Sequence, residues 1–133
     1  MTGVAGGAPL TALWTAFAAL LVLGLVLRVI FLRWTRRVGI GDGGDKTLAR
    51  AIRIHGNAIE TLPIALLLML VVELGGGPPA LLHGCGAALL LGRLAHAWGL
   101  SQTGGVSPGR FLGTLSWATV VVVLTYTILT RSF

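Results

Sequence analysis

Four apolar runs dominate the chain: Leu10–Leu32, Ile59–Leu74, Ala80–Leu100 and Phe111–Leu129. A helix that crosses a bilayer needs about 20 mostly apolar residues. The first, third and fourth runs reach that length unaided. The second reaches it only if its helix begins earlier, near Leu48, inside the polar stretch "RAIRIHGNAIETLP" at 50–63. Because lipid leaves no water to satisfy exposed backbone groups, four such runs constrain the chain to helices packed on helices. Composition agrees: 55% of the 133 residues are hydrophobic and only 11% are charged, against about 25% charged in a soluble domain. The expectation is an all-α, integral membrane four-helix bundle. It is read as a single domain over 1–133, with helices near 10–34, 48–74, 79–99 and 108–130.

The first run reads as a retained helix rather than a signal peptide. "MTGVAGGAP" carries no Lys or Arg, the apolar stretch exceeds a signal core, and no cleavage site precedes the arginines. The net charge of +6 does not point to nucleic acid. The cations gather at the ends of apolar runs, with Arg33, Arg36, Arg37, Lys46, Arg50 and Arg53 opposed only by Asp42 and Asp45. That bias marks loop 33–49 as cytoplasmic. Alternation then makes loop 100–109 cytoplasmic and puts both termini outside. Gly75–Gly77 end the second helix, and Pro78–Pro79 open the third. Trp34 and Trp98 fall at the inner boundary and Trp14 near the outer one, where interfacial aromatics belong. Trp117 lies deeper, with no assignment beyond packing. Gly84, Ala88 and Gly92 form a small-residue stripe suited to close helix contact. Cys85, the sole cysteine, reads as a packed, inert thiol.

The second helix carries its polar residues on one face. At about 100° per residue, Arg50, Arg53, Asn57 and Glu60 fall within an arc of about 80°, and His55 lies away from it. His55 is therefore assigned to helix or protomer contact. Charges at this depth must face a bundle interior or a watery cleft and must find partners. Candidates come from every other span: Arg93 and His96 on the third helix, Arg110 at the start of the fourth, Arg28 near the end of the first. Glu73 and His83 flank the outer turn and read as an interfacial pair. Two readings follow for the inner cluster. The polar residues hold the helices together, or four arginines around one carboxylate, Glu60, call for an anion from elsewhere. In the second case Glu60 serves a cationic group on that ligand or neutralises an arginine.

The series Arg53-x-His55-x-Asn57-x-x-Glu60, with Pro63 soon after, resembles the second-helix signature of the MAPEG family, membrane-associated proteins of eicosanoid and glutathione metabolism. "GRLAH" at 92–96 resembles that family's third-helix motif, and "SPGR", ending at Arg110, the segment opening its fourth helix. The resemblance covers essentially the whole chain and is closest to a bacterial branch. It implies a homotrimer with glutathione bound between protomers near the cytoplasmic side. By resemblance, Arg53, Asn57, Glu60, Arg93 and His96 bind glutathione, Arg28 is a possible further contact, and Arg110 stabilises the thiolate. Ser107 would cap the fourth helix and Pro108 occupy its first turn, adding the positive helix end to the guanidinium. Leu100 departs from the pattern, since members that make eicosanoids carry a tyrosine there. No metal is implied.

The resulting expectation is a glutathione-dependent transferase or peroxidase-like protein of the bacterial inner membrane, acting on small lipophilic electrophiles drawn from the surrounding lipids. The alternative is a non-catalytic membrane protein binding glutathione, lipid or another small anion between protomers. A small exporter using Glu60 as a proton relay ranks last, because clustered arginines repel cationic drugs.

Overall fold

The computed structural model describes residues 7–131, which form four helices in sequence. These are α1 (Pro9–Arg36), α2 (Lys46–Leu74), α3 (Pro79–Gln102) and α4 (Pro108–Thr130), each long and apolar enough to cross a membrane. No strand occurs among the described residues. Arg50 at the start of α2 reaches the Ser101 carbonyl at the end of α3, and Arg131 after α4 reaches the Gly75 carbonyl after α2 (both 3.4 Å). The helices therefore alternate up and down. Loops 37–45 and 103–107 share one end, opposite loop 75–78.

Local chemistry sets the helix ends. Asp45 caps α2, its Oδ1 accepting from the amides of Thr47 (2.8 Å) and Leu48 (2.9 Å). These bonds, foremost the one from Leu48, and then Arg36 at 3.3 Å, hold the Asp45 carboxyl below its ordinary range. Ser107 Oγ accepts from the Arg110 amide (3.4 Å) and Pro108 fills the first turn of α4. α1 runs two residues beyond 34 and ends at Arg37 in the left-handed region (φ 56°), its amide bonded to the Trp34 carbonyl. α3 continues to Gln102, past Gly99. That glycine does not stop the helix; it makes room for α4, because a Cβ there would lie 2.6 Å from Ser107 Oγ.

The core is a stripe on α2 at alternating spacings of four and three: Ala58, Leu62, Ala65, Met69 and Val72. Against it pack Ala18 of α1, Leu82, Cys85 and Leu89 of α3, and Val120 and Leu124 of α4. Cys85 sits inside this core, as a packed thiol should. The outward faces are also apolar. Leu20, Leu27 and Phe31 of α1 and Leu129 of α4 are well exposed, which suits lipid rather than water. Trp34 and Trp98 are exposed near the loop 37–45 end, in keeping with interfacial anchoring.

Three expectations change. The close contact between α3 and α4 does not use Gly84, where an added Cβ would meet nothing within 4 Å. It uses Gly92 and Gly99 against Gly109 and Gly113, where a Cβ on Gly113 would lie 2.4 Å from the Gly92 carbonyl oxygen. The Gly109–Gly113 pair, four apart on α4, carried this signal in the sequence. Trp14 turns inward rather than lying at the boundary. Its ring covers Gly86 of α3 and stands edge-on to His83 at 6.1 Å. Glu73, finally, does not pair with His83. Its two oxygens accept from the amides of Leu10 (2.8 Å) and Thr11 (2.6 Å), where Ala8 offers no side-chain cap. The start of α1 is thereby tied to the end of α2.

Candidate functional site

The close approach of α3 and α4 is what builds the end of the bundle that holds loops 37–45 and 103–107. With no side chain at Gly113, its carbonyl stands next to Arg93, which is 4% exposed. Arg93 donates through Nη2 to that carbonyl and through Nη1 to Asn57 Oδ1 and to Thr61 Oγ1 (3.2 Å). One guanidinium thus joins α2, α3 and α4. The Thr61 hydroxyl donates to the Asn57 backbone carbonyl (2.6 Å), and the Thr61 backbone carbonyl accepts from Trp117 Nε1 (2.9 Å). Trp117, deep in α4, therefore holds α2 through a hydrogen bond. Thr61 was not singled out as a site residue in the sequence, because a lone threonine in a membrane helix carries no distinguishing signal.

In front of this knot lies a cleft of about 240 Å³. Its wall is Ala49, Arg50, Arg53 and Asn57 from α2, His96 and Leu100 from α3, Gly104 from the loop, and Arg110 from α4. Of the residues expected at a site, Arg53, Asn57, His96 and Arg110 are brought together here. Arg50, which shares their helical face, joins them. The remaining candidates are placed differently. Arg93 is not on the wall; it lies behind Asn57, with its terminal nitrogens directed to protein groups. Glu60 sits beside the cleft and pairs with Arg53 along the outer surface of α2 at 3.5 Å, both side chains being more than half exposed. The i to i+7 reach is thus made. Arg28 lies on an exposed face of α1 and lines none of these walls. His55 is half-buried and also away from the cleft.

The electrostatics are one-sided. Arg50, Arg53 and Arg110 line the cleft and no carboxylate does. Arg110 is held by the loop, its Nη1 donating to the carbonyls of Gly104 (3.1 Å) and Gly105. A second hollow on its other side, lined by His96, Val106, Phe111 and Thr114, leaves His96 and Arg110 shared between two openings. The Arg53–Glu60 pair is unusual for its position. Glu60 is 14 residues beyond Lys46, or about 21 Å along the axis. A charged pair exposed so far into a span is stable only where protein or water covers it. Among the described residues, no group of three or more His, Cys, Asp or Glu side chains is placed to hold a metal.

The sequence model of the MAPEG family matches residues 11–130. The chain belongs to the MAPEG family. Two Escherichia coli proteins, from strain K12 and from an O6:H1 strain, are each 47% identical to it over 89 residues. The match covers 67% of this chain and 68% of theirs, and both are called inner membrane protein YecN. Four spans and an inner-membrane relative together support an integral inner-membrane location. MAPEG proteins are associated with glutathione as a family, and the matched region contains the entire arginine cleft.

Proposed function

We propose that this MAPEG protein binds glutathione in the cleft between α2, α3 and α4 and promotes its reaction with lipophilic electrophiles from the membrane. The observation that carries the reading is the cleft itself: three arginines, an asparagine and a histidine converge without a carboxylate on the wall. The donor set suits glutathione. Arg50 and Arg53 offer forks to its two carboxylates, and Glu60, beside Arg53, faces its ammonium. When bound, glutathione would supply the reacting thiol. Asn57 is fixed by Arg93 and needs no reorganisation to present its remaining amide group. Arg110 would stabilise the thiolate. Its guanidinium is pre-positioned by Gly104 and Gly105, at the positive end of a helix capped by Ser107.

The protein acts in this reading as a homotrimer. The exposed Arg53–Glu60 pair supports assembly, because a neighbouring copy laid against α2 would cover it and close the cleft. Loops 33–49 and 100–109 face the cytoplasm, where glutathione is supplied.

A second reading, a non-catalytic binder of glutathione, lipid or another small anion, is favoured by Leu100. It lines the cleft and brings no hydroxyl to it. Mixing purified protein with glutathione separates the two. Catalysis predicts ultraviolet thiolate absorbance and conjugation of an aryl halide. Both should fall about 100-fold or more in Arg110→Ala, on the scale of losing one charge-stabilising donor. Glutathione binding without thiolate supports the second reading, and absence of glutathione binding contradicts the first and restricts the second to lipid or another small anion.

A further inference from the structure

A separate basic site lies on the other side of this end of the bundle, at the turn from α1 into loop 37–45. Ile30 and Trp34 stand one turn apart on α1, with Arg33 beside them and Arg37 at the left-handed cap that follows the helix. With Val38 and Gly39 they line a hollow of about 480 Å³. The geometry assigns this hollow to the headgroup phosphate of an anionic phospholipid, with the upper acyl chain lying over Ile30 and Trp34. The assignment does not depend on the glutathione reading.

Three observations carry it. First, the hollow is amphipathic in the right order. Ile30 and the 86% exposed Trp34 stand on the helix, while Arg33 carries its guanidinium up to the loop carbonyls and Arg37 caps the helix beside them. An aromatic and an aliphatic group below two cations match the boundary between acyl chain and headgroup. Second, the loop's acids are used elsewhere. Asp42 accepts from the Gly44 amide (2.8 Å), and Asp45 caps α2 and pairs with Arg36. Among the described residues neither forms an ion pair with Arg33 or Arg37. Third, one cation is rigidly presented. Arg33 Nη1 donates to the carbonyls of Val38 (3.4 Å), Gly39 (3.2 Å) and Gly41 (2.9 Å). That fixes the guanidinium on the loop and leaves Nη2 and Nε for an anion. Arg37 stands next to it at the left-handed helix cap.

Native mass spectrometry of the full chain from mixed micelles tests this, with phosphatidylglycerol and phosphatidylcholine supplied in equal amounts. Phosphatidylglycerol should be retained preferentially. Arg37→Gln should reduce its retention about fivefold, the effect of one cation near an anionic surface, and Arg37→Lys should keep most of it. Arg131→Gln removes the same charge at the opposite end and should leave retention unchanged. Soluble glycerol phosphate at equal concentration should not displace the lipid. Equal retention of the two lipids would overturn the assignment. So would equal losses in Arg37→Gln and Arg131→Gln, or displacement by glycerol phosphate.

Discussion

The two ends of the bundle solve opposite problems. At the end holding loop 75–78, Met69, Val72, Leu82 and Leu124 are fully buried, and the carboxylate of Glu73 is matched by two amides. At the other end Arg93 has both terminal nitrogens bonded to protein groups, its Nε being left without a partner, while Arg50, Arg53 and Arg110 converge on an open cleft. A polar group kept in an apolar setting must have its partners. Where the protein supplies them, the group is structural. Where several like charges converge on a cleft whose wall carries no carboxylate, the proposed function places another molecule there. Charge count alone does not separate these cases; the direction of each donor does.

Breaking the matched knot should have the largest effect. Arg93→Met fills similar space but strips the Asn57 side chain and the Gly113 carbonyl of their donor. Losing charged hydrogen bonds in a buried setting should cost about 3 kcal/mol, read as a lowered thermal midpoint in detergent. Next, Gly113→Ala should cost about 2 kcal/mol, by forcing α3 and α4 apart where they now touch. Gly84→Ala, on an open face of α3, should be neutral or slightly stabilising. Equal effects at the two glycines would contradict the contact described. At the end holding loop 75–78, Glu73→Gln leaves one acceptor for two amides and should cost about 1 kcal/mol. Hydrogen exchange should quicken at Leu10 and Thr11 while the arginine cleft is unaffected.

The smallest effect concerns loop 37–45. The Asp45 carboxyl titrates below its ordinary value of 3.8 in the folded chain. Its stabilising contribution is therefore fully present above that value and is lost as pH falls through the lower folded one. Amide exchange at Thr47 and Leu48 should accelerate across that acid window. Asp45→Asn, which still caps the helix, should abolish the pH dependence.

Much of this was legible in the sequence, for definite reasons. Span number follows from apolar run length, and Pro79 and Pro108 mark the starts of α3 and α4 because proline fits a first turn. The polar arc on α2 is set by helix periodicity, so Arg53 and Asn57 were placed together, and the inner cluster found His96 and Arg110 by depth. What escaped was side-chain direction across helices. Arg93 and His96 are three apart on one face, yet the missing side chain at Gly113 draws Arg93 inward and leaves His96 on the wall. Glu73 went to α1 rather than to His83, because uncapped helix amides compete for a carboxylate and Ala8 offers no hint of that need. Gly99 read as a helix end when it is a packing notch.

The central claim is that the arginines lining the cleft hold a negatively charged guest. Calorimetric titration of glutathione into the purified protein in detergent tests it most directly, with Arg53→Gln and Arg131→Gln alongside. Saturable binding is predicted, weakened about tenfold or more in Arg53→Gln, the loss of one charged hydrogen bond, and unchanged in Arg131→Gln. Absence of saturable heat, or identical affinities in all three proteins, would contradict it.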